Sequence, residues 1–146
     1  MADSDRIEQL LLSLRDDNEG LRNHAATGLG QIGEAAIPKL IELFEDDDLV
    51  IREAATSAVV QVGESAIDPL IEALEEGEWA VREQAASALG KLKTSKAVDS
   101  LAKALKDKDG GVRTAAVWAL ERIGDCLLST SPRPRAATLS RLPSSA

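Results

Sequence analysis

The chain has 146 residues, a net charge of −8, 44% apolar and 29% charged residues, the make-up of one globular domain or a short repeat array rather than a disordered polymer. A lone Cys126 excludes an internal disulfide, and with His24 as the lone histidine neither a zinc cluster nor a Cys/His nucleophile pair is expected. One Phe, two Trp and no Tyr leave Ala, Leu, Ile and Val to build the core.

The first predicted helix is IEQLLLSL (7–14), with Asp5 and Glu8 at capping-box spacing. A turn holding Asp16 leads to a second helix with Leu21–Arg22, Ala25, Leu29 and Ile32, closed by Gly33. The pair then recurs. IPKLIELF (37–44) has Pro38 in its first turn, where proline is tolerated, and Asp46, Ile51–Arg52, Ala55, Val59, Val62 and Gly63 follow. IDPLIEAL (67–74) carries Pro69, with Ser65 and Asp68 at capping-box spacing; Glu76, Val81–Arg82, Ala85, Leu89 and Leu92 come next, and Lys93 replaces the glycine beside a one-residue insertion. VDSLAKAL (98–105), Asp107, Val112–Arg113, Ala116, Leu120, Ile123 and Gly124 complete the series.

The arginines recur at spacings of 30, 30 and 31. Counted from the aliphatic residue before each Arg, the apolar positions fall at 0, +4, +8 and +11, one face of a helix. The chain therefore reads as four helix–turn–helix units at about 4–33, 34–63, 64–94 and 95–124. Gly33, Gly63 and Gly124 suit left-handed helix ends, and Lys93 predicts a different turn, costlier by about 1 kcal/mol.

Six residues before each Arg stands an acid, giving the pairs Asp16 and Arg22, Asp46 and Arg52, Glu76 and Arg82, Asp107 and Arg113. An acid in that turn lies near the positive end of the second helix and within reach of the Arg. The pairs predict a structural ladder in which each Arg bridges two acids on stacked units. An exposed pair contributes ~0–1 kcal/mol and a bidentate one more.

Pro38 and Pro69, the turn acid, the aliphatic–Arg pair, the Ala-rich second helix and the endings LGQIGE, VVQVGE and ERIGD resemble the HEAT repeat family. The likeness is to its short units named after phycobilisome lyases, and it covers residues 4–124. The resemblance implies an all-α fold, an α-solenoid (a right-handed, ARM-like superhelix) of about four two-helix repeats. First helices would lie on the convex side, and second helices would line a concave side that holds a partner. A single unit cannot bury its apolar face, so neighbours supply the core.

Away from the apolar stripe, positions one, four, five and eight after each Arg are predicted to face outward. They are mostly small, as in Ala26, Thr27, Gly30, Thr56, Ser57, Val60, Ala86, Ser87 and Gly90, with Asn23, Glu53, Glu83, Thr114, Val117 and Glu121 among them. Position nine gives Gln31, Gln61, Lys91 and Arg122 along one edge. Such small residues suit either a shallow binding face or close packing of adjacent helices. Trp118 breaks the series Thr27, Ser57, Ser87. Exposed Trp is enriched at interface hot spots; cover by the C-terminal tail is the other reading. The candidate partner-binding residues are thus Trp118, Glu53, Glu83, Glu121, Gln31, Gln61, Lys91 and Arg122. Trp79 is expected to pack on a neighbouring loop, His24 to lie on the surface, and Leu12 to leave an apolar patch at the N-terminal end.

After Asp125 the chain has no acid but three Arg, three Pro and five Ser. Residues 125–146 are expected to form a basic tail, disordered from about residue 130, with Cys126 to Leu128 able to cover the end of the stack. A native tail and a truncated or frame-shifted array are both compatible with this change. Residues 1–78 hold 5 Lys/Arg against 19 Asp/Glu, net −14; residues 79–146 hold 12 against 6, net +6. That asymmetry predicts weak head-to-tail self-association. The start, MADSDRIEQL, is acidic and unlike a signal peptide, and no apolar run nears the ~20 residues of a membrane helix. A cytoplasmic location without membrane attachment is expected.

No phosphate-binding glycine loop appears. The acidic runs read as helix-end charges, not as a dyad in a pocket, and the His-Glu pairs of metal-binding HEAT hydroxylases are missing. No catalytic residue, cofactor or metal is expected. The reading is a non-catalytic protein–protein interaction scaffold. One alternative is an accessory subunit resembling phycobilin lyases, acting on linear tetrapyrroles, though no aromatic cluster is present to cradle one. Another is a HEAT-like nucleic-acid-binding protein, which the acidic first half disfavours.

Overall fold

The computed structural model describes residues 2–130, with side chains for 4–125. They form eight α-helices: α1 (Ala2–Leu14), α2 (Glu19–Ile32), α3 (Ile37–Glu42), α4 (Leu49–Val62), α5 (Ile67–Glu76), α6 (Trp79–Leu92), α7 (Val98–Ala104) and α8 (Gly110–Thr130). Short 3-10 turns precede α3, α5 and α7, and another, Leu43–Glu45, ends α3. No strand occurs among the described residues. None of their helices is long and apolar enough to cross a membrane.

Each odd-numbered helix packs on the even-numbered helix that follows it, and α2, α4, α6 and α8 stack side by side. The result is an all-α solenoid with one continuous core running from Ile7 to Ile123. Phe44, Leu14, Leu29, Leu40, Leu70, Leu89 and Leu101 are fully buried in it. The centre of the predicted stripe is buried, with Ala25, Ala55, Ala85, Ala116, Leu29, Val59 and Leu89 all solvent-inaccessible, whereas Leu21, its first position in the first unit, is 48% exposed because no unit precedes it among the described residues.

The helix starts differ from expectation. α1 begins at Ala2, which places Asp5 inside the helix, and Ala66, not Ser65, precedes α5 without a side-chain cap. The caps lie on the second helices instead. Asn18 Oδ1 accepts the Leu21 N–H at 3.2 Å, Asp48 Oδ1 that of Val50 at 2.9 Å, and Asp109 Oδ1 that of Val112 at 3.0 Å. Each satisfies a backbone donor that the first helical turn leaves unpaired.

Gly33 and Gly63 end their helices at φ 83° and 89°, both with ψ −138°; this is not the left-handed helical turn expected of them but another positive-φ region that side chains disfavour. Lys93 ends α6 at φ 54° and ψ 38°, the left-handed helical region, at a cost of about 1–2 kcal/mol. The third unit thus turns differently, and Thr94 Oγ1 accepts the Lys96 N–H at 3.2 Å to start the next one. Gly124 ends nothing. α8 runs through it to Thr130, because Asp125-Cys126-Leu127-Leu128 continues a helical sequence and the next proline is Pro132. The boundary expected at 124 therefore falls inside a helix, and the rest of the expected tail lies outside the described residues.

Candidate functional site

The repeated Arg clamps the turn of its own unit, but through main-chain carbonyls rather than the carboxylate. Arg22 Nη1 donates to the carbonyls of Asp16 and Asp17 at 2.8 and 2.9 Å. Arg52 Nη1 donates to those of Asp46 and Asp47 at 2.7 and 3.3 Å. Arg82 reaches Gly77 at 2.8 Å and Arg113 reaches Asp107 at 2.7 Å. The turn carboxylates are already engaged. Asp16, Asp46 and Asp107 each accept the N–H two residues on, at 2.8–2.9 Å, the local Asx turn.

The expected ladder is therefore corrected. Of the four repeated arginines, only Arg82 bridges to the next unit's acid among the described residues. Its Nε and Nη2 grip Asp107 Oδ2 and Oδ1 at 2.8 and 3.0 Å, with both side chains 14% exposed. Asp46 is bridged from the first unit by Arg15 at 2.8 Å, not by Arg22. Glu76 joins no pair among the described residues. It stands on the rim of an open groove of about 660 Å³ between α3 and α5, floored by Ile37, Pro38, Ile41 and Pro69.

The Arg82 fork holds the Asp107 carboxyl below the ordinary carboxylate range, against the opposing effect of burial. The Asp46 carboxyl is also lowered, first by the Asp48 N–H and then by Arg15. A carboxylate lowered in the folded state stabilises above its unfolded pKa of about 3.9, and that stabilisation fades as pH falls through the folded value. Asp107→Asn keeps the Asx acceptor but weakens the fork. It is expected to cost about 1.5–3 kcal/mol at pH 7, and the gap from the parent should narrow below about pH 4. Urea denaturation at pH 7 and pH 3 measures both, and an equal gap at the two values would contradict the assignment.

The second-helix layer sorts its small residues into seams. Positions four and eight after the Arg turn toward the following unit. Ala26, Thr56 and Ala86 are buried there, not outward as expected. Thr56 Oγ1 donates to Gln84 Oε1 at 2.8 Å across the α4–α6 seam. A Cβ on Gly30 would lie 2.6 Å from Gln61 Cβ, and one on Gly90 would lie 2.7 Å from Ala119 Cα. Close packing is thus what the small residues at positions four and eight serve, whereas position five is not buried, with Thr27 exposed and Ser87 on the groove described next.

Trp118 remains 37% exposed. The Arg122 guanidinium lies 4.9 Å from its ring centroid, and its Cζ3 would be 2.9 Å from a Cβ on Gly90. The ring borders a groove of about 580 Å³ that also takes in Leu49, Glu53, Glu83, Gln84, Ser87 and Lys91. Four of the predicted partner residues, Trp118, Glu53, Glu83 and Lys91, therefore converge. Gln61 abuts Gly30, and Gln31 and Glu121 do not line this groove. Arg122 acts by covering the ring. Leu49, 50% exposed, is a groove residue that the repeat pattern does not single out. Its only signal is an apolar residue three before the Arg, a position it shares with Trp79. Trp79 is itself 51% exposed rather than packed on a loop. His24 and Leu12 are exposed, and no metal-binding group of His, Cys, Asp and Glu occurs among the described residues.

A family model for HEAT repeats matches the chain twice, over residues 7–78 and 67–139. No curated protein matches the sequence. Among solved structures, the complex of CpcE and CpcF of phycocyanin lyase from Nostoc sp. PCC7120 has a similar fold. The TM-score is 0.56 at 24% identity, over 98% of this chain and 91% of that one.

Proposed function

The chain belongs to the HEAT repeat family, and from that premise we propose that it is a non-catalytic interaction module holding a segment of another protein in the groove bordered by Trp118. The observation that carries this is the placement of Trp118. The ring is fixed by Arg122 and the Gly90 backbone, yet more than a third of it stays open beside Leu49. A pre-positioned aromatic anchor loses little side-chain freedom on binding. The segment it fits carries an apolar side chain to enter beside Leu49 and Trp118, and a basic neighbour for Glu53 and Glu83.

Affinity capture with the intact protein, followed by titration of the purified partner, tests the reading. Trp118→Ala is expected to weaken binding by about 30-fold, the scale of a 2 kcal/mol hot spot, with the helical circular dichroism and melting temperature close to the parent's. Equal affinity for parent and variant would sink the groove as the site.

A second reading, an accessory subunit for linear tetrapyrroles, is supported by the fold likeness to the phycocyanin lyase complex. It predicts a shifted visible spectrum when the protein is mixed with a free bilin. An unchanged spectrum removes it.

A further inference from the structure

Three positions that seal one unit to the next inside the stack are uncovered on the last unit. Leu74 of α5 is 4% exposed where it meets α7, whereas its counterpart Leu105 is 39% exposed. Thr56 and Ala86 are buried against the following helix, whereas Val117, in the same register, is 47% exposed. Arg82 closes its fork on the acid of the next turn, whereas Arg113 is exposed. It holds its own turn carbonyl through Nη1, and no acid among the described residues meets its other nitrogens.

The first unit carries the complementary half. Asp16 is exposed and already set in its Asx turn, with Oδ1 accepting the Asn18 N–H at 2.8 Å, as Asp107 accepts that of Asp109 at 2.9 Å. Leu12, 71% exposed, occupies in α1 the place of Lys103 in α7, a residue that borders the crevice with Leu74. The two ends are opposite in sign: residues 1–33 hold 3 Lys/Arg against 6 Asp/Glu, net −3, and residues 95–125 hold 6 against 5, net +1.

We infer that the exposed end of α7 and α8 is a docking surface for the α1–α2 end of a second copy of this chain, locked by Arg113 on the partner copy's Asp16 as Arg82 locks on Asp107. Leu12 then covers Leu105 in the way that an inner unit covers Leu74. The contact uses different surfaces on the two copies, so it propagates into open chains rather than closing as a dimer. It is independent of the Trp118 groove, which faces the preceding unit.

Sedimentation velocity of the full chain tests this. At low salt the weight-average sedimentation coefficient should rise with protein concentration, and added salt should reverse the rise. Arg113→Glu and Asp16→Arg should each weaken association at least about tenfold. An equal mixture of the two variants, and a chain carrying both changes, should associate again, because each restores an opposite-charge pair. That recovery separates a lost contact from a misfolded variant. Trp118→Ala should associate like the parent. A monomer at every concentration, association unaffected by either single change, or no recovery in the mixture or the double variant would overturn the inference.

Discussion

Phe44→Ala is expected to lower the unfolding free energy by about 3–5 kcal/mol, the range for truncating a fully buried aromatic. Phe44 has no exposed surface and sits in the 3-10 turn that ends α3. Its ring fills the core between the first and second helices of the second unit, where the other units place Leu14, Leu74 and Leu105. That shared register supplies an internal control. Leu105 is 39% exposed, so Leu105→Ala removes less buried area and is expected to cost below about 1.5 kcal/mol. Urea denaturation gives both values, and the slope m carries further information. In a repeat array each unit is stabilised mainly by its neighbours. The Phe44 turn packs on α4 and on α6 of the next unit, so a void there should loosen the second unit from the third and flatten the transition, which Leu105→Ala should not do. Equal costs at the two positions would show that the core is not graded along the stack.

The fold is legible in the sequence because the same apolar face is written four times. Ala25, Ala55, Ala85 and Ala116 agree in register, and each is wholly buried. What a single helix wheel cannot show is that a second helix in a stack has three neighbours: its own first helix, the preceding second helix and the following one. Ala26, Thr56 and Ala86 lie outside the stripe toward the first helix, so they read as surface, yet the next unit buries them. The Arg clamp departs from the expected ladder for a related reason. Spacing brings Arg52 near Asp46, but one Asp46 oxygen accepts the Asp48 N–H and the other pairs with Arg15, and the guanidinium donates to the turn carbonyls instead.

The caps on the second helices do have a sequence signal. Asp16 with Asn18, Asp46 with Asp48 and Asp107 with Asp109 share one spacing, the first closing the turn and the second capping the helix. Glu76-Gly77-Glu78 hides the pattern in a four-way alignment. The longer Glu side chain does not make the short Asx loop, and Glu78 precedes α6 without a side-chain cap. The groove is half legible. Trp118 stands out as the wrong size for its column, whereas Leu49 belongs to a different unit and nothing local ties the two together.

Gly90→Val is expected to cost about 1–3 kcal/mol or more, the range for overpacking a tightly packed site, and to disturb the groove as well as the stack. A Cβ at this position would lie 2.7 Å from Ala119 Cα, 2.8 Å from Ala119 Cβ and 2.9 Å from Trp118 Cζ3. The nearest atom is backbone, so no rotamer change relieves it, and α6 must move away from α8. That movement strains the Arg82–Asp107 fork across the same pair of units and releases the edge of the Trp118 ring. Thermal unfolding reads the first effect. A red shift of tryptophan emission, with Trp79 already half exposed and unmoved, reads the second. Ala119→Gly placed in the variant removes the clashing methyl group but leaves the main chain of α8 in the way, so it should restore only part of the loss. Full restoration would show that the two helices touch through side chains alone; no loss in the first place would mean that the seam is looser than the Gly90 geometry requires.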